Sequence, residues 1–220
     1  MITKEALKGI ITAVAISLYF VAVVIIPHPF MGTMAFIYEN FIFWGIIIIP
    51  SIILMRRNKE TLAGIRFSKQ GYGWQVAIGI AWGIVSFVPL VISDFLGFFS
   101  MDFQAFQSID ISWFLQVLFH ALLFVALVEE IVFRGHLYNA IKAKGDNIWL
   151  ATLVTSVLFG LIHLPASIIF DTPINAVYII NAMIFGIVSC VMMERIKHCS
   201  MLSLIIAHAL HNGILYGILV

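Results

Sequence analysis

Glu129 and Glu130 are adjacent acids, followed by Arg134, in the run Phe119-His-Ala-Leu-Leu-Phe-Val-Ala-Leu-Val-Glu-Glu-Ile-Val-Phe-Arg134. Positions 121 to 128 are all aliphatic or aromatic. Ionisable groups at membrane depth are costly, so they usually face a cavity, pair with one another and mark a working site. Two further polar clusters interrupt apolar runs. Phe159-Gly-Leu-Ile-His163 is followed at once by Leu164-Pro165, and His208-Ala-Leu-His-Asn212 lies near the end of the chain. Steps of four residues keep Phe159 with His163, and His208 with Asn212, on one helical face. A carboxylate, imidazoles and an amide are the groups that activate water and stabilise developing negative charge.

Each residue also has a structural reading. Glu130 and Arg134, in the favourable acid-first i, i+4 order, form a structural ion pair as readily as a chemical one. A lone histidine such as His163, or an amide such as Asn212, can serve as an interhelical hydrogen-bond partner. Glu129 is the acid least easily explained in this way, because it then has no local counter-ion. His120, His136 and His198 are taken as non-catalytic, and His211 as a residue that simply lies within the third motif. Glu39 has no companion in the sequence. Phe114, Phe119 and Phe124 read as packing.

Composition identifies the elements that must position these groups. The chain has 220 residues, is 62% hydrophobic and 10% charged, and has a mean hydropathy of +1.09. Soluble domains carry roughly 25% charged residues. The expected fold is all-α: a polytopic transmembrane helical bundle forming a single membrane domain over 1–220. Apolar runs of about 20 residues can cross a hydrocarbon core of about 30 Å. About seven are present, near 8–27, 33–55, 74–95, 112–134, 148–164, 173–193 and 201–219. The fourth continues as a helix to about Lys144, with Gly145-Asp146 as its stop and Asn147 near the start of the next. The first lacks a small-x-small cleavage site and runs on to Pro27-His28-Pro29, so it reads as an anchor.

Charge in the loops sets the orientation. Lys4 and Lys8 precede the first span, and Arg56, Arg57, Lys59, Arg66 and Lys69 fill the second loop. Lys142 and Lys144 follow the fourth span, and Arg195 and Lys197 the sixth. The alternate loops carry only acids: Asp94, Asp102 and Asp110, then Asp171. Apart from Arg134, every Lys and Arg therefore falls on one side, which the positive-inside rule assigns to the cytoplasm together with the N-terminus. The absence of a basic patch outside short loops excludes a nucleic-acid partner. Cys190 and Cys199 suggest neither a disulfide nor a zinc framework.

The clusters also agree in depth. Glu129 lies 13 residues from Lys142, about 20 Å along a helix. His163 lies 14 residues from Trp149, about 21 Å. Asn212 lies 12 residues from Ser200, about 18 Å. Three helices thus bring acid, imidazole and amide to similar levels.

With these clusters in order, residues 112–220 resemble the catalytic core of the CAAX-processing endopeptidase and bacteriocin-processing (CPBP, or Abi) family of intramembrane proteases. The motif Glu-Glu-x-x-x-Arg stands as Glu129, Glu130 and Arg134, Phe-x-x-x-His as Phe159 and His163, and His-x-x-x-Asn as His208 and Asn212. The first half of the chain matches only in being hydrophobic. The resemblance implies peptide-bond hydrolysis within the bilayer. It assigns water activation to Glu129 and His163, with Glu129 as the base, the oxyanion to His208 and Asn212, and support of the first carboxylate to Glu130 and Arg134. The implied partners are the lipid bilayer and a peptide or lipidated protein substrate within it, from CAAX trimming, bacteriocin or signal-peptide maturation, or self-immunity. The implied location is a multi-pass cell membrane, and the compact chain looks more bacterial than eukaryotic. The family's label of metalloprotease leaves zinc open, with Glu129, His163 and His208 as three ligands around an open position. No His-Glu-x-x-His is present to argue for zinc independently, and the metal-free reading is preferred. A proton-coupled transporter and a non-catalytic adaptor or immunity protein are the rival classes. The missing inverted repeats and paired broken helices count against the transporter. The complete set of catalytic-type residues counts against the adaptor.

Overall fold

A computed structural model of the protein describes residues 4–25, 44–61, 63–68, 70–98, 100–101, 110–142, 147–164 and 175–219. Within them the chain forms helices and no strand. These are α1 (Lys4–Ile25), α2 (Trp44–Arg57), α3 (Tyr72–Phe95), α4 (Ile111–Lys142), α5 (Ile148–Leu161), α6 (Asn175–Arg195) and α7 (Met201–Leu219). Seven helices coincide with the seven apolar runs. By length and hydropathy, α3, α4 and the Ala176–Arg195 stretch of α6 are sufficient to cross a membrane. The first part of the second run with Glu39, the segment Pro27-His28-Pro29, and Lys144-Gly145-Asp146 lie outside the described residues.

Local signals set the helix starts. The side chain of Asp110 accepts from Trp113 N at the start of α4. That of Asn147 accepts from Leu150 N at the start of α5, the position read as its beginning. Each satisfies one of the amides that a helix N-terminus leaves without a partner. Helix α5 closes at Leu161, and Ile162 and His163 form a turn ahead of Leu164. His163 therefore sits in the turn just past α5, and not within the helix.

Large apolar side chains cover the outside and polar ones collect inside. Leu18, Ile84, Leu115, Phe119 and Leu153 are exposed, whereas Glu129, Glu130, Arg134, His208 and His211 are buried. Water would select the reverse distribution, and hydrocarbon selects this one. Helix α4 lies at the centre, touching α1, α2, α5 and α7. Helices α3 and α7 pack through small residues. A Cβ on Gly79 would lie 2.8 Å from Ser203 O, and one on Gly83 would lie 3.0 Å from Ala207 O. Such spacing, small-x-x-x-small on both helices, lets two backbones approach closely enough for dispersion to hold them in lipid.

The basic ends of the helices share one end of the bundle. A Cβ on Gly9 would lie 2.6 Å from Ala140 O, so the start of α1 sits on the end of α4. Glu194 near the end of α6 accepts from Lys142 Nζ at 2.7 and 2.8 Å, from Tyr138 OH at 2.9 Å, and from Arg66 of the α2–α3 loop. Arg66 also donates to Met193 O at 2.6 Å. The loops that the sequence assigns to one side thus converge in space.

Candidate active site

The acid pair is placed by an unusual stretch of α4. Ala121–Ala126 and Ile131–Leu137 are wound as π-helix, with the α-helical turn Leu127–Glu130 between them. Each π turn accommodates an extra residue, and such insertions recur at functional sites. Neighbouring residues on an α-helix point about 100° apart, so one of two adjacent acids would ordinarily face outward. Here Leu127–Glu130 is flanked by both α2 and α7. Glu129 and Glu130 are accordingly both buried, at 4% and 0% exposure.

A single polar network connects α4 with α7. Glu130 Oε1 accepts from Arg134 Nη1 at 3.0 Å and from His208 Nδ1 at 2.9 Å. The ion pair read from the i, i+4 spacing is therefore present, and the third motif joins it. Glu129 Oε2 lies 3.7 Å from His208 Nε2, so its counterpart comes from another helix. Since Glu130 accepts at His208 Nδ1, that nitrogen carries a proton. With Glu130 paired to Arg134, one further proton on either Glu129 or His208 would make the buried cluster neutral overall, as a low dielectric favours.

Phe159 binds this network to α5. Its ring lies 4.0 Å from the Arg134 guanidinium carbon and meets the rings of His163 and His208 edge-on, with centroids at 5.1 and 5.6 Å. Cation–π attraction and edge-to-face contact both depend on an aromatic ring here. His163 Nδ1 donates to Phe159 O at 2.7 Å. A carbonyl can only accept, so the neutral ring keeps its lone pair on Nε2. His163, His208 and Asn212 line one cavity with Phe159, Tyr178, Asn181, Phe185 and His211. Its volume is about 20 Å³, room for roughly one water. Glu129 is not among the lining residues; His208 lies between it and the cavity.

Two of the lining residues outside the motif letters, His211 and Asn181, are hydrogen-bonded to one another. His211 Nδ1 is 2.7 Å from Ser86 Oγ, and Asn181 Nδ2 is 3.1 Å from His211 Nε2. A polar residue inside an apolar run was the available signal for Asn181 and Ser86, but Ser and Asn are common packing residues in membrane helices. His136 lies apart, lining a cavity of about 820 Å³ at the basic end with Lys8, Leu54 and Glu60. His120 contacts Phe124, and His198 lies in the α6–α7 turn with φ of 65°. Cys190 and Cys199 are free thiols. Among the described residues, no three His, Cys, Asp or Glu side chains are gathered to hold a metal ion.

An apolar exterior around a buried carboxylate–imidazole cluster defines a helical membrane protein with its reactive groups inside the bundle. Over residues 111–214 the chain matches the family model described as type II CAAX prenyl endopeptidase Rce1-like. That match agrees with the resemblance to the CPBP family that the three motifs had indicated. The family implies CAAX-type peptidase activity in a membrane, and hence membrane-associated protein substrates. No curated protein and no solved structure matches the chain.

Proposed function

We propose that the protein hydrolyses a peptide bond near the C-terminus of membrane-anchored CAAX-type proteins, using water activated by Glu129 and His163. The observation that carries this reading is the convergence of the three motifs. Glu129, Glu130 and Arg134 share a network with His208, while His163, His208 and Asn212 line a cavity of one-water size. In a water-poor site a carboxylate is a stronger base than in bulk, and fixed donors contribute more to stabilising an oxyanion. The lone pair on His163 Nε2 accepts a proton from the water as its oxygen attacks the scissile carbonyl. Glu129, 3.7 Å from His208 Nε2, supports this transfer electrostatically through that imidazole. His208 and Asn212 donate to the oxyanion, and collapse of the tetrahedral intermediate returns a proton to the leaving amine. Glu130 and Arg134 hold His208 and Phe159 in position.

No step in this reading requires a metal. Precursors of bacteriocins or signal peptides, processed in a bacterial plasma membrane, are the second substrate class. Purified protein in liposomes should cleave a prenylated CAAX peptide, monitored by mass spectrometry. Glu129→Gln and His163→Ala should each lower kcat by at least about a hundredfold while the melting temperature is retained. Wild-type rates in both variants would end this reading. Elemental analysis of the active preparation should find no stoichiometric zinc.

A further inference from the structure

Asn181 of α6 is 3% exposed, and its Oδ1 has no hydrogen-bond partner among the described residues. Orphaned buried acceptors are rare because they forfeit hydration without replacement. The direction of every hydrogen bond behind this side chain can be worked out. Ser86 Oγ donates to Gly83 O at 2.7 Å, which uses its only proton. It must therefore accept from His211 Nδ1. His211 is buried, and among the described residues no carboxylate lies in ion-pair contact with it, so the ring is neutral and Nε2 is an acceptor. Asn181 must then turn its NH2 towards His211, leaving Oδ1 as its free end. Rings packed on His211 hold the chain in place: Phe87 stacks at 4.5 Å and Phe185 lies at 5.5 Å.

Asn181 and His163 line one cavity, and each leaves one acceptor uncommitted, Oδ1 and Nε2. A water molecule has two protons to donate. We propose that Asn181, aligned by the Ser86–His211 chain, is a positioning residue that accepts the second proton of the attacking water while His163 takes the first. With both protons committed, the water's lone pair is aimed at the carbonyl. This assignment rests on the peptidase reading above and adds to it a residue outside the three motifs.

Asn181→Leu preserves size and removes the acceptor. In the prenylated-peptide assay it should lower kcat about a hundredfold and leave KM within about twofold, because misdirected water affects chemistry and not substrate binding. Asn181→Asp keeps a carbonyl oxygen, and a carboxylic O–H can replace the amide as donor to His211. It should recover activity to within about tenfold of wild type. Ser86→Ala removes the end of the chain without touching the cavity, and should lower kcat about tenfold at unchanged KM. Full activity of Asn181→Leu, or a raised KM at unchanged kcat, overturns the proposal. If Asn181→Leu does not fold, wild-type kcat in Ser86→Ala overturns it. An inactive wild type, or a fully active Glu129→Gln, would end the peptidase reading and this proposal together. Loss in Glu129→Gln with none in Asn181→Leu ends only this one.

Discussion

Glu130 accepts from two donors through one oxygen, and this explains why the motif needs both an arginine four residues on and a histidine from α7. Removing one partner of a buried ion pair strands the other charge, at a cost of about 3–5 kcal/mol. Arg134→Met should lower stability by that amount, measured as the shift in thermal melting in detergent. Glu130→Gln combined with Arg134→Met should cost less than the sum of the single replacements, because the two sites share one interaction. The pair was legible in the sequence, since charges four residues apart in an apolar run announce themselves. Phe159 was legible only as a motif letter. In a chain with 19 phenylalanines, nothing in the residue type marks a ring that lies beneath a guanidinium. His211 was set aside for the same reason: its place in the cavity depends on Ser86, 125 residues away in sequence.

At the scale of elements, each of the seven apolar runs contains a helix among the described residues, and three of these are long and apolar enough to cross a membrane. The π turns of α4 were not legible. Hydrophobic periodicity blurs when every face is apolar, and the period is what would have revealed an extra residue per turn. The close contact of α3 with α7 was likewise overlooked, although Gly79 and Gly83 carry its signature. It matters for function because α7 carries His208 and Asn212. Gly79→Val would drive a side chain into Ser203 O and Ile206. Overpacking of this kind costs about 1–3 kcal/mol. Both melting temperature and cleavage rate should fall. Gly45→Ala, with nothing within 4 Å of the added carbon, should lower neither.

Across the whole molecule, the basic loops converge around Glu194, and the positive-inside rule gives that end to the cytoplasm. Cysteines introduced at Arg57 and Ser100, both exposed, test this orientation. A membrane-impermeant maleimide should label Ser100→Cys in intact cells, and Arg57→Cys only after the membrane is opened. The reverse pattern would invert the topology. By itself the sequence determined the membrane class, the helical runs, the alternation of charge and the identity of the motif residues. These follow from hydrophobicity and charge, which act residue by residue along the chain. Tertiary structure alone decided which groups face one another. The Glu129–His208 approach, the ring of Phe159 under Arg134 and the Ser86–His211–Asn181 chain arise from side chains of different helices meeting in a packed interior. Such meetings depend on close approach and on the directions of donors and acceptors, which a one-dimensional pattern does not carry.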